Sequence, residues 1–591
     1  MATAPSRAWK FPTSPRSPYK IKPELKLLVQ LQERKWDKNA QLEFARLLAE
    51  SQDYLGEVSE KETDFAARDR LRGPSTLGFI KKPDEAESRL LLTEVGKLFV
   101  NCKFYEETFI FQRQIAKVQF GSPANRKNVE KEMNIRPLGL IIQALKELGQ
   151  LTKDEMALYC ITTTNHREAK RMIELIRKNR QEIERTKDAR QRKNLRLQHK
   201  IERLENVYAE DINMGNTNLR EGGDNFLETK YRTLRDFADS SIRYFLATGL
   251  FATNYHRQTF ELVKVRSKES DFILEKYGMQ IDNNPNSSYS DYITNYLGNP
   301  QLVEIWRDSE DNQRKDAARL ISYIANHDSQ KAFRLKTDYQ HAKNKVSRLG
   351  ILDTLERESM IFHRITESAQ IKENLEASYP QIKATYNEIS TLRNSMIDKP
   401  LMFEWNTWRL FNLFSDSVSI VGNFLSDADG NPLRTAPGGT PDIVCEFKDF
   451  CLIVEVTLQS GMKQYETEGE PITRHIGNQI RKNLEAKDSR PVYGLFIAQK
   501  VNRELVFYLN AISWRASQYY GGRIQIFPIE ISKLIEIIDI SDVTRLNSRM
   551  IFESFNAIFS EKMRELGELD WENAGIKVLN EHLSSRDKIY D

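Results

Sequence analysis

The spacing of apolar residues changes along the chain, and the change predicts two kinds of structure. Through most of the first 400 residues, apolar positions recur every three to four residues, which is typical of helices. From Met402 to Asp591, short apolar runs alternate with helical segments, the order expected of an α/β domain with a mixed sheet. We therefore predict a multidomain α+β protein with four parts: an extended basic arm at 1–22, a helical region at 23–265, a helical linker at 266–400 and an α/β domain at 401–591.

Three segments of region 23–265 suggest winged-helix or helix-turn-helix units. In the first, an extended stretch at 77–80 precedes a helix with Thr93 at its N-cap. In the second, a helix stops at Gly149 and another restarts with a capping box formed by Thr152 and Glu155. The third runs from Tyr231 to an apolar strand at 260–263. Helical bundles are common in proteins that never bind DNA, but several such units in one chain favour duplex DNA as the partner.

Two apolar runs around Lys448 and Asp449 predict a β-hairpin in the C-terminal domain. Asp442 begins its first strand and Glu455 lies near the end of its second, so pairing places the two carboxylates opposite each other. Acids at the ends of buried strands need a partner or an ion. Paired carboxylates suit Mg²⁺ and phosphodiester hydrolysis, and Pro-Asp, a spacer and Glu-x-x outline a PD-(D/E)xK nuclease site. Thr457 occupies the position where that motif has lysine.

Further carboxylates surround this hairpin in the sequence. Glu404 begins the helix predicted at 404–414, where it is either a third site acid or an ordinary first-turn acid. Glu468 belongs to an acidic loop before a helix predicted from about 470 to 486, and is either a metal ligand or a helix-capping acid. Lys463, Arg474 or a second ion held by Glu468 are alternatives for replacing the charge of the motif lysine. Strand 492–497, helix 503–513 and strand 523–527 complete the predicted domain.

Composition limits the class of protein. The chain has 591 residues, of which 40% are apolar and 29% charged, as expected for several globular domains. It has neither a run of eighteen apolar residues nor an apolar signal core, so we expect a cytoplasmic protein without a membrane partner. Its four cysteines are scattered, which argues against zinc or disulfide scaffolds. The phosphate loop of ATP-driven motors, the HExxH zinc motif and the Gly-x-Ser-x-Gly elbow do not occur.

The net charge of +4 is unevenly distributed. Residues 167–205 hold fourteen Lys or Arg and seven Asp or Glu. Such a segment either neutralises phosphates or is a solvated helix supported by spaced ion pairs. The arm at 1–22 combines X-Pro steps with basic residues, and it either lies along a phosphate backbone or in a groove, or forms a mobile tail.

Several motifs occurring in one order resemble the AlwI-type group of type IIS restriction and nicking endonucleases. The resemblance extends from about residue 11 to 500 and is weakest in the linker. It rests on residues 14–26, 68–70, 93–97, 160–165, 235–239, 243–251, 403–408, 439–442, 455–457 and 470–475.

The resemblance implies a winged-helix recognition half, a helical linker and a PD-(D/E)xK-like nuclease domain. Enzymes of this group bind a short asymmetric site in double-stranded DNA and cut a few base pairs to one side with Mg²⁺, for which Mn²⁺ is expected to substitute. By this resemblance, the catalytic and metal-binding acids are Glu404, Asp442, Glu455 and Glu468. The group also tolerates threonine at the position of Thr457. We place DNA contacts at Arg16, Lys20, Lys22, Arg68, Arg70, Arg72, Lys97, Arg474 and His475.

The resemblance leaves three readings open. The first is an enzyme that cuts both strands, with a transient dimer through the cleavage domain. The second is a strand-specific nickase or the large subunit of an enzyme with a separate small subunit. The third is a non-catalytic winged-helix DNA-binding regulator, which would not need converging carboxylates.

Overall fold

The computed structural model describes residues 5–32, 34–51, 63–83, 88–103, 106–125, 128–217, 225–254, 258–282, 288–390, 398–414 and 416–584. The chain forms two compact units, Met1–Ser359 and Met360–Asp591. The division falls within the predicted linker, so residues 266–359 belong to the first unit and 360–400 to the second.

Helices dominate the first unit. They are α1 Ile21–Val29, α2 Lys38–Glu50, α3 Thr63–Arg70, α4 Arg72–Thr76, α5 Glu94–Asn101, α6 Glu107–Lys117, α7 Asn128–Lys131, α8 Pro137–Leu148, α9 Lys153–Glu155, α10 Ala169–Arg185, α11 Ala189–Val207, α12 Ala209–Asn213, α13 Phe226–Leu246, α14 Ser267–Tyr277, α15 Tyr289–Asp291, α16 Glu310–Ala325 and α17 Ser329–Gln340. Its strands are β1 Ile80–Lys81, β2 Leu91–Leu92, β3 Leu151–Thr152, β4 Phe251–Asn254 and β5 Thr259–Leu262.

Local sequence features set several of these boundaries as expected. The Thr93 side chain accepts a hydrogen bond from Gly96 N at the start of α5. Helix α8 ends at Gly149, and Thr152 and Glu155 form the capping box of α9. Gly96 is required where α5 approaches the chain before β1, because a Cβ there would lie 2.0 Å from the Phe79 carbonyl oxygen.

Two of the three predicted DNA-binding segments are joined in one sheet. Strand β3 follows α8 and pairs antiparallel with β5, and β5 pairs with β4 after α13. The second and third segments are therefore parts of one helix-and-strand unit, which their separation in sequence concealed. Strands β1 and β2 form a separate two-stranded ribbon before α5.

The N-terminal arm is packed into the first unit, so of the alternatives predicted for it the mobile tail is wrong. Trp9 and Phe11 are both 0% exposed. The indole Nε1 of Trp9 donates to the carbonyls of Cys160 and Thr163, and the ring of Phe11 stacks on Tyr244. Helical structure already begins at Pro18 and continues into α1. Burial of two aromatic rings offsets the entropy lost on ordering the arm.

The second unit combines helices with a mixed sheet. Helix α18 Lys345–Glu373 crosses from the first unit into the second, and is followed by α19 Leu375–Ser390, α20 Lys399–Phe411, α21 Met462–Glu485, α22 Arg503–Ser513, α23 Ile531–Asp539, α24 Ser548–Ile558, α25 Glu561–Arg564 and α26 Glu568–Leu583. The strands are β6 Ser419–Gly422, β7 Leu425–Ser426, β8 Pro432–Arg434, β9 Ile443–Glu446, β10 Cys451–Thr457, β11 Val492–Ala498, β12 Ala516–Ser517, β13 Gly522–Arg523 and β14 Gln525–Glu530.

The five-stranded sheet has the order β14-β11-β10-β9-β6. Strands β10, β11 and β14 are parallel, whereas β9 is antiparallel to both β10 and β6. Every residue of β11 is buried, as expected of a central strand covered on both faces. On one face, Phe496 packs with Ile476 and Leu505, which belong to α21 and α22.

The fold is a helix-rich α+β fold, and the mixed sheet expected in the C-terminal domain is confirmed. Cys160, Cys445 and Cys451 are buried free thiols, and Cys102 is half-buried. None of the helices within the described ranges is both long and apolar enough to cross a membrane.

Candidate active site

The predicted hairpin is present and brings Asp442 and Glu455 together. Strands β9 and β10 pair with Ile443 opposite Val454. Asp442 immediately precedes Ile443 and Glu455 immediately follows Val454, so the two acids lie across from each other. Asp442 Oδ2 accepts a hydrogen bond from Val456 N at 2.8 Å, which fixes its carboxylate at the end of the hairpin.

Two helices bring further carboxylates to the same place. Helix α20 contacts β9 and β10 and carries Glu404, which is 6% exposed and accepts a hydrogen bond from Ala436 N at 2.9 Å. Helix α21 contacts β10 and β11 and carries Glu468, whose Oε1 accepts from the Thr457 hydroxyl at 2.8 Å. Thr457, at the motif lysine position, therefore orients a carboxylate.

Burial raises the pKa of all four carboxyl groups, and neighbouring acids raise it further in three of them. Burial, followed by the neighbouring charge of Glu455, raises the pKa of Asp442 well above its usual value. Burial and the charge of Glu468 do the same to the pKa of Glu455, and burial and the charge of Asp442 to that of Glu404. Burial also raises the pKa of Glu468, although the hydrogen bond from the Thr457 hydroxyl opposes it. The cluster therefore favours any cation that relieves this repulsion.

His475 lies within the cluster, although the sequence suggested a DNA contact. It is 8% exposed, and its Nδ1 lies 2.6 Å from Glu455 Oε1. Burial, followed by the charge of Arg474, lowers the pKa of His475 to about 4, so the imidazole is neutral, and its Nδ1 and Glu455 Oε1 share one hydrogen bond. The Nε2 atom is buried and has no hydrogen-bond partner within the described residues. Its seven-residue spacing from Glu468, two turns of one helix, would have indicated this location.

The predicted acidic loop before residue 470 is helical. Helix α21 begins at Met462 and continues through Pro471 to Glu485. Pro471 suggested a first-turn position because proline disfavours helix interiors, yet nine helical residues precede it. Packing of Ile472 and Ile476 in the core overrides that preference. The side chain of Lys463 lies outside the described part of the structure.

The basic residues predicted to contact DNA do not share one environment. Lys22 is buried, with Nζ 2.6 Å from the Cys102 carbonyl and 3.0 Å from Glu107, so it is unavailable to a phosphate and its assignment as a DNA contact is withdrawn. Arg70 pairs with Glu24 at 2.7 Å.

The remaining predicted contacts are more accessible. Four are ion-paired: Arg16 with Asp236 and Asp239 at 3.6 and 3.5 Å, Arg72 with Asp69 at 2.8 Å, Lys97 with Glu94 at 2.9 Å and Arg474 with Glu470 at 2.9 Å. Arg68 is exposed and Lys20 half-buried.

The donor chemistry of the carboxylate cluster fits a divalent cation. Carboxylate oxygen atoms are the ligands that Mg²⁺ prefers, and four carboxylates lie near one another at one edge of the sheet. Across the residues that the structure describes, no three His, Cys, Asp or Glu side chains already form a group that could hold a metal ion. To bind a metal ion, the side chains of Asp442, Glu455, Glu404 and Glu468 would thus have to move closer to one another at this edge of the sheet.

A sheet edge with four gathered carboxylates defines a class of site suited to metal-assisted phosphodiester hydrolysis. Residues 75–537 match the family model described as AlwI restriction endonuclease. The chain belongs to the AlwI restriction endonuclease family, and it is a site-specific deoxyribonuclease. The match confirms the resemblance, although residues before 75 lie outside it.

Ten chains of known structure match, among them two restriction endonucleases. The small subunit R.BspD6I2 of the heterodimeric restriction endonuclease R.BspD6I is 23% identical, with 34% of this chain and 99% of that chain covered and a TM-score of 0.27. The restriction endonuclease FokI is 12% identical, with 85% of each chain covered and a TM-score of 0.21. No curated protein matches.

Proposed function

We propose that this restriction endonuclease is a type IIS enzyme, which reads a short asymmetric sequence in double-stranded DNA and cuts it a few base pairs to one side with Mg²⁺. The convergence of Asp442, Glu455, Glu404 and Glu468 supports the proposal. Glu404 is buried and the other three are half-buried, and carboxylates so placed without a compensating charge are costly, which favours a functional cation. Mn²⁺, with similar ligand preferences, is expected to substitute.

Asp442 and Glu455 are the proposed central metal ligands, with Glu404 and Glu468 beside them. When bound, the cation supplies positive charge that polarises the scissile phosphate and lowers the pKa of a water molecule. The protein's part is orientation: Val456 N holds Asp442, and His475 holds Glu455.

Thr457 contributes to this centre differently from the lysine of the general nuclease motif. Its hydroxyl donates to Glu468 and fixes one oxygen of that carboxylate. The second unit is therefore proposed to be a PD-(D/E)xK-like variant that relies on an extra carboxylate. The proposed catalytic domain is 401–591, preceded by the helical segment 266–400.

The recognition region is proposed to be 23–265 and to include a winged helix. Helix α8, strand β3 and α9 are followed, after the intervening helices α10–α12, by α13 and the β4–β5 hairpin, and β3 completes the sheet. That order is consistent with a winged helix in which α13 is the helix offered to the major groove. Because the recognition region and the acids occur in separate compact units, cutting outside the sequence that is read is the expected mode.

Plasmid digestion followed by run-off sequencing of both strands tests the proposal. The wild-type protein should cut supercoiled plasmid with Mg²⁺ or Mn²⁺ and not with EDTA. Sequenced ends should lie at one fixed offset from a common asymmetric sequence. Cuts inside a palindromic sequence would refute the type IIS assignment, and cutting in EDTA would refute the metal requirement.

The same digestion separates the alternatives. Linear product indicates cleavage of both strands, for which we propose transient dimerisation of the catalytic domain. Nicked circles without linear product indicate a strand-specific nickase or a large subunit that needs a separate small subunit. Binding without any strand break, across metals and sequences, would instead support a non-catalytic DNA-binding regulator. The proposed location is the cytoplasm, where such an enzyme meets DNA.

A further inference from the structure

A basic helical hairpin extends from the first unit. Helices α10 and α11 are joined by only three residues, 186–188. The last buried residue of α10 is Ile176, and the only buried residue of α11 is Leu204. At 1.5 Å per residue, the nine residues from Ile176 to Arg185 extend roughly 14 Å beyond the last buried position. Most of the hairpin therefore contributes surface rather than core.

The hairpin is nevertheless fixed in place. His199 Nε2 on α11 lies 2.9 Å from Glu182 Oε2 on α10, which ties the helices together. Asp188 caps α11 by accepting from Gln191 N at 2.7 Å. At the base, Arg203 donates to the Leu158 carbonyl at 2.9 Å. The arrangement can therefore present side chains in defined positions.

The outer part of the hairpin, residues 185–196, carries almost only positive charge. We call this segment the basic tip. It contains six basic residues and one acidic residue, Asp188. Five of the basic side chains are exposed and Arg192 is half-buried; the six are Arg185, Lys187, Arg190, Arg192, Lys193 and Arg196.

These six cations have no carboxylate partner within the described ranges. The ion pairs of α10 and α11 involve residues nearer the base, such as Arg177, Arg180 and Lys200. Exposed helices ordinarily gain from oppositely charged residues three or four positions apart. Here Arg190, Lys193 and Arg196 follow one another at three-residue spacing, so neighbouring side chains carry like charges that repel each other.

We infer that the basic tip binds the phosphate backbone of duplex DNA outside the bases that are read. This inference rests on the proposed function. A polyanion relieves the repulsion among the six cations and releases condensed counterions, which increases affinity for DNA of any sequence. An acidic protein would offer fewer and less regular charges than a duplex, which carries one negative charge per roughly 1.7 Å of its axis.

The effect of such a surface is specific and measurable. Phosphate contacts position a protein on DNA without specifying sequence, so loss of the tip should weaken specific and non-specific binding together. The contacts do not touch the reacting phosphodiester. The cleavage rate of fully bound DNA should therefore remain that of the wild type.

The test compares two triple variants with equal loss of charge. The tip variant is Arg190→Gln/Lys193→Gln/Arg196→Gln. The control is Arg334→Gln/Lys336→Gln/Lys343→Gln, whose residues are exposed cations of the same unit without a carboxylate partner among the described residues. The Kd for duplexes with and without the recognition sequence is measured in EDTA over a salt series. Circular dichroism establishes that each variant is folded.

For the tip variant, we expect the slope of log K against log salt to become less steep by about 2 to 3, since each phosphate contact contributes about 0.9. The Kd for both duplexes should rise at least about tenfold at ~0.1 M salt, whereas the control should keep the wild-type slope. A tip variant with the wild-type slope would overturn the inference, and so would an equal change in the control. Failure of the wild type to cleave DNA would instead refute the proposed function, independently of the slopes.

Discussion

The hydroxyl of Thr457 should set the pH at which the enzyme becomes active. It donates a 2.8 Å hydrogen bond to Glu468 Oε1, and both residues lie beside the buried acids of β9 and β10. In Thr457→Val the shape is retained and the donor is lost, so the ionised form of Glu468 loses stabilisation. Thr457→Ser keeps a hydroxyl and is the matched control.

The size of the effect follows from the charge of the acceptor. A hydrogen bond to a charged group contributes about 1.5–3 kcal/mol, and one pKa unit corresponds to about 1.4 kcal/mol. The pKa of Glu468, already raised by burial, should therefore rise further by about one to two units. Below that pKa, the protonated carboxyl is a poor ligand for a divalent cation.

Single-turnover cleavage of an end-labelled duplex, measured across a pH series at one fixed Mg²⁺ concentration below saturation, provides the assay. The acidic limb of the Thr457→Val profile should move upward by about one to two pH units, with the rate at high pH approaching that of the wild type. Thr457→Ser should restore the wild-type limb. An equal loss of rate at every pH, or an unmoved limb, would contradict the assigned contact.

Three stability measurements follow from the same structure. Because folding raises the pKa of Asp442, the protonated carboxyl adds to the free energy of unfolding below the unfolded-state pKa of about 3.9, and this stabilisation is lost as the pH rises through the folded-state pKa. The melting temperature of the metal-free wild type should therefore fall more over that pH range than that of Asp442→Asn. Gly96→Ala should lower the melting temperature, since its Cβ would meet the Phe79 carbonyl at 2.0 Å, whereas Gly350→Ala, with nothing within 4 Å, should not. Burial lowers the pKa of Lys117 to about 7, so urea unfolding should show stability rising between about pH 7 and 10, and Lys117→Met should lack that rise.

The sequence predicted the central part of the site because short-range patterns determine it. Two apolar runs around a polar break produce a hairpin, and the register then places Asp442 across from Glu455. Strand β11 and helix α22 were likewise predicted close to their observed bounds, since their apolar patterns agree with their local preferences. The spacing of residues did not decide whether Glu404 lies near Asp442 and Glu455, because only tertiary packing brings α20 to the hairpin. The resemblance to a known family suggested that it does.

The errors arise where long-range contacts override local preference. Pro471 indicated a helix start, but apolar packing extends α21 through it. Lys22 was interpreted as a DNA contact, yet it pairs with Glu107, 85 positions away in sequence. The burial of Trp9 also depends on partners more than 150 positions away. Such contacts leave no local pattern from which they could be predicted.

The central claim is that the carboxylate cluster forms the catalytic centre for DNA cleavage. Measuring DNA binding and the cleavage rate of Asp442→Asn tests it most directly. The substitution replaces one half-buried carboxyl group with an amide and keeps the side-chain shape. With enzyme in excess and Mg²⁺ present, the variant should bind the recognition duplex at least as tightly as the wild type, because repulsion between carboxylate and phosphate is reduced. Its cleavage rate on bound DNA should fall by on the order of 10³ or more, the scale of losing a group that acts in the transition state. Cleavage by the variant at the wild-type rate would show that the catalytic centre lies elsewhere.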